Sequence, residues 1–359
     1  MAGPRVIVGM SGGVDSSVAA ALLQQQGYDV IGITMRLWTQ PDPEGFSGRK
    51  QCCSIEDVDD ARRVAQALGI PHYTLNLERQ FNTQVVDYFV GEYAHGRTPN
   101  PCLACNEHIK FKALLERAVA LDADYLATGH YARRTERDGR FHLLRAADPD
   151  KDQSYVLYTL GQRELRRVLF PLGDLSKPRV REIAAGLGLG VAGKPDSVEI
   201  CFVPGNDYRA FVSARVPQQA GAIVDERGAE VGQHSGIANY TVGQRKGLGA
   251  FGDRRFVTEI RPADNVVVVG PEEALLAHTL YAGQLRWTQG DPPGPDEALD
   301  VKIRYRGRPL PARVLVAGDL AEVRFAVPQR AVTPGQSAVF YRGDEVLGGG
   351  TICAAPPIA

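Results

Sequence analysis

No apolar run in the 359 residues approaches the roughly 18 that a membrane helix needs. The opening MAGPRVIVGMSGG has no basic stretch followed by an apolar core, so it does not read as a secretory signal. The Arg- and Ser-rich character of an organelle transit peptide is missing as well. These absences predict a cytoplasmic protein without a membrane partner. An excess of one charge is also lacking: 41 Lys and Arg stand against 42 Asp and Glu, a formal net charge of −1. That excludes a tail-driven, non-specific nucleic-acid binder but leaves room for a structured RNA enzyme with local basic faces. Cysteine is sparse, with Cys52, Cys53, Cys102, Cys105, Cys201 and Cys353. So few thiols in a long intracellular chain do not make a disulfide framework; they are more often buried, metal-binding or catalytic. There is no internal repeat. The length suggests two or three domains.

What is present is an alternation of strand and helix signals. Arg5–Gly9, Asp29–Met35, His72–Leu77 and Tyr125–Thr128 read as strands. Helical patterns fall at Ser16–Gln26, Ile55–Leu68, Phe81–Tyr93 and Ile109–Ala120, the first two stopped by Gly27 and by Gly69 with Pro71. This order predicts an α/β fold with a doubly wound parallel sheet, whose ligands sit at the carboxyl ends of the strands. Further helices are expected near Gln162–Leu169 and Pro178–Leu187. After Pro204-Gly205 the chain becomes rich in Gly turns and short strands, and Gly270-Pro271 marks a second boundary. Val301–Tyr305, Ala312–Val316, Ala321–Val327 and Ala338–Tyr341 predict a small C-terminal β-barrel. The expected division is 1–205 catalytic, 206–272 a small β-rich central domain, and 273–359 the barrel.

The strongest local signal is Gly9-Met10-Ser11-Gly12-Gly13-Val14-Asp15-Ser16-Ser17, between the first strand and first helix. Glycines let backbone N–H groups approach an anion, the helix start adds positive partial charge, and Ser11, Ser16 and Ser17 add hydroxyls. The P-loop lysine and the dinucleotide-fingerprint spacing are both missing. The pattern resembles the SGGxDS loop of the PP-loop ATP pyrophosphatases, which implies that it holds the pyrophosphate of ATP while chemistry occurs at the α-phosphate. Asp15 would orient this loop or place Mg2+, or serve only as an N-terminal helix carboxylate. Met35 and Gly129, at the ends of other strands, are further nucleotide candidates. Core packing is the competing reading for Met35.

Reactive sulfur is suggested by Thr98-Pro99-Asn100-Pro101-Cys102-Leu103-Ala104-Cys105-Asn106, expected just before a helix, where a thiol pKa can fall. Cys201 lies far along in Lys194-Pro195-Asp196-Ser197-Val198-Glu199-Ile200-Cys201-Phe202. With the Ser11 loop, Asn239-Tyr240-Thr241-Val242-Gly243-Gln244-Arg245-Lys246-Gly247-Leu248-Gly249, and the Ala331–Tyr341 ending, these elements resemble the bacterial tRNA-specific 2-thiouridylase family over nearly the whole chain. The resemblance implies ATP-dependent replacement of the 2-oxygen of a wobble uridine in tRNAs for Lys, Glu and Gln. Cys105 matches the family's nucleophile and Cys201 its persulfide carrier. A cysteine desulfurase or sulfur-carrier protein is the implied donor. Many members carry Asp at the position of Cys102. With Cys there, Cys102, Cys105 and Cys201 could instead ligate a [4Fe–4S] cluster, and a redox dithiol or zinc site also stays open. Cys52, Cys53 and Cys353 read as structural.

The resemblance also implies tRNA contacts at Asn100, Pro101, Cys102, His130, Lys151, Asp152, Gln153, Arg304, Tyr305 and Gln336. Read alone, Asp148–Tyr155 is equally a solvated charged loop. Gln244, Arg245 and Lys246 could bind phosphate. Lys302, Arg304, Arg306 and Arg308 are expected to share one face of a strand, a track for a phosphate backbone. Two rivals remain: a PP-loop ligase without sulfur chemistry, and a non-catalytic RNA binder with a degenerate loop.

Overall fold

The computed structural model describes residues 3–39, 55–196, 200–249, 251–295 and 297–355. Cys52, Cys53 and the Ser197–Glu199 stretch lie outside the described residues. Seventeen strands are described, and the first four are β1 (Arg5–Gly9), β2 (Asp29–Arg36), β3 (His72–Asn76) and β4 (Tyr125–Thr128). A hairpin follows, β5 (Ala132–Arg137) and β6 (Arg140–Arg145), then the short β7 (Val168–Leu169). β3-β2-β1-β4-β7 form one sheet in that order, and every pairing is parallel. Val6, Ile7 and Val8 of β1 are fully buried, as a central strand covered on both faces requires. The order reverses between β2-β1 and β4, so the segment after β1 opens into the crevice where such sheets bind ligands.

The helix Val14–Gln25 follows that segment and packs its apolar residues onto the sheet with Val64 and Ala65 of the helix Ile55–Leu68. The helix bearing Cys102 and Cys105 departs from expectation. It begins at Pro101 rather than near Ile109, as Pro101–Ala104, then a π-wound stretch Cys105–Ala113, then Leu114–Ala120. Asn100 caps it, accepting the Cys102 N–H at 3.1 Å, and Pro101 occupies the first helical position, where its missing N–H costs nothing. Both thiols therefore lie inside the helix. The helix expected over Gln162–Leu169 ends at Leu165, and the last two residues join the sheet as β7.

The central sheet is mixed, in the order β10-β11-β8-β9: β8 (Gly221–Asp225), β9 (Glu230–His234), β10 (Phe256–Arg261) and β11 (Val266–Gly270). The C-terminal strands are β12 (Leu276–Trp287), β13 (Glu297–Lys302), β14 (Leu310–Ala317), β15 (Leu320–Arg330), β16 (Ser337–Arg342) and β17 (Glu345–Cys353). They run antiparallel as β12-β15-β14-β13-β16-β17, and β12 also pairs with β17, which closes the barrel and removes its edges. The hairpin β5–β6 extends from β17 through Glu345 and Leu144, so the segment between β4 and β7 adds two strands to the barrel's sheet. The expected strand Val301–Tyr305 stops at Lys302; residues 303–309 form a loop. Among the described residues no helix is long and apolar enough to cross a membrane.

The barrel is locked to the cysteine-bearing region at one turn. Thr98 N–H donates to Pro334 O at 2.9 Å and the Gln336 amide donates to Thr98 O at 2.8 Å. Gly335 between them has φ +91°, and a Cβ there would lie 2.8 Å from Thr98 N. Gly335→Ala therefore combines left-handed strain with a backbone clash. It is expected to lower stability by about 1–3 kcal/mol, read as a reduced denaturant midpoint without loss of secondary structure.

Candidate active site

A cleft of about 1430 Å³ lies between the parallel sheet and the barrel. Gly9, Ser11, Gly13, Asp15, Ser16, Met35, Thr128, Gly129 and His130 form one wall; Lys302, Tyr305, Arg306 and Arg308 form the opposite one. Residues 149–153 and Lys194–Asp196 close the sides. The loop after β1 is shaped by its own hydroxyls. Ser11 N–H donates to Ser16 Oγ at 3.1 Å, and Ser17 Oγ donates to Gly13 O at 2.8 Å. Gly129 follows β4 so closely against the helix start that a Cβ would meet Ser16 N at 2.7 Å. Any side chain there would push the cradle apart. Met10 and Val14 are buried in the core below, so only their backbone can face a ligand. Met35 packs against the core and also lines the cleft.

Asp15 accepts from Lys177 Nζ at 2.7 Å on each oxygen and from the Tyr131 hydroxyl at 2.7 Å. It is thus held in place by a lysine and a tyrosine. Burial and this hydrogen bond raise the Tyr131 pKa far above its ordinary value. Lys177, buried at the start of the helix Lys177–Gly186, also reaches Asp196 at 2.8 Å. Asp196 additionally takes Lys151 at 2.8 Å and Arg181 at 3.0 Å. Lys194 is bound by Gly12 O at 2.9 Å, Asp57 at 2.5 Å and Asp60 at 2.6 Å. The segment leading to Cys201 is therefore anchored on the nucleotide loop and its neighbours. The motif reading missed Lys177 altogether. It quoted Lys194 and Asp196 without this role, since only a charge partner far along the chain reveals it.

Met35, which lines this cleft, also packs on the cluster that holds two of the thiols. Cys105 is buried and Cys201 is half-buried, and both pack on one aromatic-rich cluster with Phe81, Phe89 and Phe202. Segments nearly a hundred residues apart are thus brought together. Cys102 is exposed, near enough to Tyr305 to influence its hydroxyl. Burial is the chief cause that raises the Tyr305 pKa, and a hydrogen bond with Gln153 opposes it. Among the described residues no group of three or more Cys, His, Asp or Glu is placed to hold a metal ion. Cys102 faces outward while Cys105 is enclosed, so as placed the three thiols do not fit an iron–sulfur ligand set. Cys353 sits in β17, where burial raises its thiol pKa.

The expected RNA contacts divide. Lys151 lines the cleft. Gln153 pairs with the Tyr131 backbone in both directions, accepting its N–H at 3.0 Å and donating to its carbonyl at 2.9 Å. Asp152 is used internally, accepting from Ala146 N–H and Ser154 N–H at 3.1 Å each. Arg304 corrects the expected basic strand face: its half-buried guanidinium donates to the carbonyls of Arg330 and Ala331, and burial lowers its pKa. Lys302 is buried against the rings of Tyr155 and Tyr305. Gln336 is spent on the Thr98 carbonyl, and Gln244 on Thr241 and Lys246 within its own turn. Arg306 and Arg308 do line the cleft, from the loop. His130 is buried, its Nδ1 2.8 Å from Thr128 Oγ1.

Three family models together match most of the chain: a tRNA methyl transferase HUP domain over residues 4–205, a tRNA methyl transferase PRC-barrel domain over 209–271, and an aminomethyltransferase beta-barrel domain over 277–352. The chain is 52% identical over 356 residues to the tRNA-specific 2-thiouridylase MnmA of Heliobacterium modesticaldum, covering 97% of this chain and 92% of that protein. The protein of the same name from Geobacter metallireducens is 52% identical over 98% of this chain and 97% of its own length. That from Clostridium perfringens is 51% identical, covering 97% of this chain and 98% of its own length.

Burial alone would raise the Asp196 carboxyl, but the hydrogen bonds from Lys151 and Lys177 outweigh it and hold the pKa at about 2. A lowered carboxylate pKa contributes stability above its unfolded value and loses it as pH falls through the folded value. The Asp196 contribution is therefore present above pH ~4 and lost as pH falls toward about 2. Melting temperature measured against pH should show a shallower acid fall in Asp196→Asn than in the parent, which starts higher at neutral pH.

Proposed function

We propose a mechanism on the premise that this chain belongs to the tRNA-specific 2-thiouridylase family and is a sulfurtransferase acting on tRNA. ATP, brought as its magnesium complex, is a substrate. Its pyrophosphate lies on the Ser11–Ser16 loop, and Met35 flanks its nucleoside end. The 2-oxygen of the wobble uridine bonds to the α-phosphorus, the bond to the bridging oxygen breaks, and pyrophosphate leaves with the electron pair. The uridine N3 proton passes to water. A carbonyl oxygen that could not leave is now part of AMP, a good leaving group.

Sulfur follows. A sulfur donor, a cysteine desulfurase or carrier protein, loads Cys201 with a persulfide. Its terminal sulfur attacks C2 of the base and AMP departs with the former carbonyl oxygen. The Cys105 thiolate then attacks the Cys201 sulfur, releasing the 2-thiouridine and leaving a Cys105–Cys201 disulfide. If Cys105 attacks first, hydrosulfide is released and adds to C2 instead; the same disulfide results. Either way a thiol reductant supplies the two electrons that restore both thiols. The packing of Cys105 and Cys201 on one cluster beside the ATP cleft carries this reading. Family resemblance supports tRNAs for Lys, Glu and Gln, whose anticodon loop already presents an unstacked wobble base.

Anaerobic purification with iron and sulfide assay, then nucleoside analysis of treated tRNA, tests the reading. Iron-free protein should form 2-thiouridine. Cys105→Ser and Cys201→Ser should lose it by at least ~10³-fold, while Cys102→Ser keeps a substantial part. Iron and activity disappearing together in all three variants would replace the persulfide route by a cluster. Absence of tRNA-dependent pyrophosphate release would overturn the adenylation step itself.

A further inference from the structure

We infer that Lys110 meets the α-phosphoryl group during adenylation; the inference rests on the thiolation reading above. Most cleft lysines are already spent. Lys151, Lys177 and Lys194 are bound to carboxylates, and Lys302 is buried against two tyrosine rings. Lys110 lines the same cleft, yet among the described residues its hydrogen-bond contact is a neutral ring, His130 Nε2 at 3.4 Å.

The neighbourhood of His130 keeps that contact neutral. Burial first, then the nearby Lys110 charge, drives its pKa well below the ordinary value. An ammonium can only donate, so Nε2 accepts and Nδ1 carries the hydrogen, pointing at Thr128 Oγ1 2.8 Å away. The lysine is thereby tethered to the end of β4 without being neutralised. It lines one cleft with Gly9, Thr128, Gly129 and the loop assigned to the pyrophosphate.

The helix winding supports the same assignment. Cys105 and Lys110 are five residues apart, which on an α-helix separates them by about 140° around the axis. They lie in the π-wound stretch Cys105–Ala113, where five residues span roughly one turn. One helix therefore presents the thiol to the cluster shared with Cys201 and, one turn on, the ammonium to the nucleotide. In the adenylation step Lys110 transfers no proton. It donates hydrogen bonds to the non-bridging oxygens of the α-phosphoryl group as negative charge shifts toward the departing pyrophosphate. Afterwards it holds the AMP portion while sulfur arrives.

The test is single-turnover pyrophosphate release at saturating ATP with unthiolated tRNA, on the full chain. Lys110→Met should slow release about a hundredfold, with tRNA affinity and melting temperature close to the parent. Lys110→Arg should recover most of the rate, because the charge returns. Parent-like release by Lys110→Met overturns the inference and leaves the thiolation reading intact. Equal losses in both variants together with weakened folding or tRNA binding would also overturn it, by making Lys110 a packing residue. No tRNA-dependent release by the parent protein would sink the thiolation reading and this inference with it.

Discussion

Lys177 lies buried with both oxygens of Asp15 and one of Asp196 around its ammonium, and the geometry of the site depends on that contact. Asp15 belongs to the nucleotide loop; Asp196 belongs to the segment that leads to Cys201. One positive charge thus couples the ATP cradle to the sulfur-bearing chain. Breaking a buried pair typically costs about 3–5 kcal/mol because a charge is left unpaired. Asp15 and Asp196 keep some contact with water, which places this case at or below the lower end.

Around that tie, the cleft and the two packed thiols lie at different depths. The loop after β1 opens into a wide cleft between the sheet and barrel, lined by many charged side chains. The Cys105 and Cys201 thiols instead pack on an apolar cluster at its side. A single helix carries both Cys105, on that cluster, and Lys110, on the cleft wall.

Local signals were legible in the residues. β1, β4 and the helix Ile55–Leu68 fall where hydrophobic pattern and stop signals put them, because each is decided by neighbours within a few positions. The nucleotide loop was legible for the same reason. The basic run after Lys302 was not: alternation suggested a strand face, whereas the strand ends at Lys302, Arg304 turns inward to two carbonyls, and Arg306 and Arg308 reach the cleft from a loop. Nor did the pattern reveal the β5–β6 hairpin, whose edge pairs with a strand two hundred residues onward. The start of the thiol helix was misplaced because the motif was read as lying just before a helix, whereas Asn100 is its cap and Pro101 its first residue.

The residues alone determined the kinds of chemistry available: a glycine-rich anion cradle, thiols in two distant motifs, and strand-turn-helix order that forces a parallel sheet. These follow from backbone sterics, side-chain pKa and short-range periodicity. Only the tertiary structure decided which charges neutralise one another, that Cys105 and Cys201 share a cluster, and that Lys110 meets a histidine ring beside the cleft. Those outcomes depend on distances between segments remote in the chain, and electrostatic and packing energies are set by those distances rather than by order along the backbone.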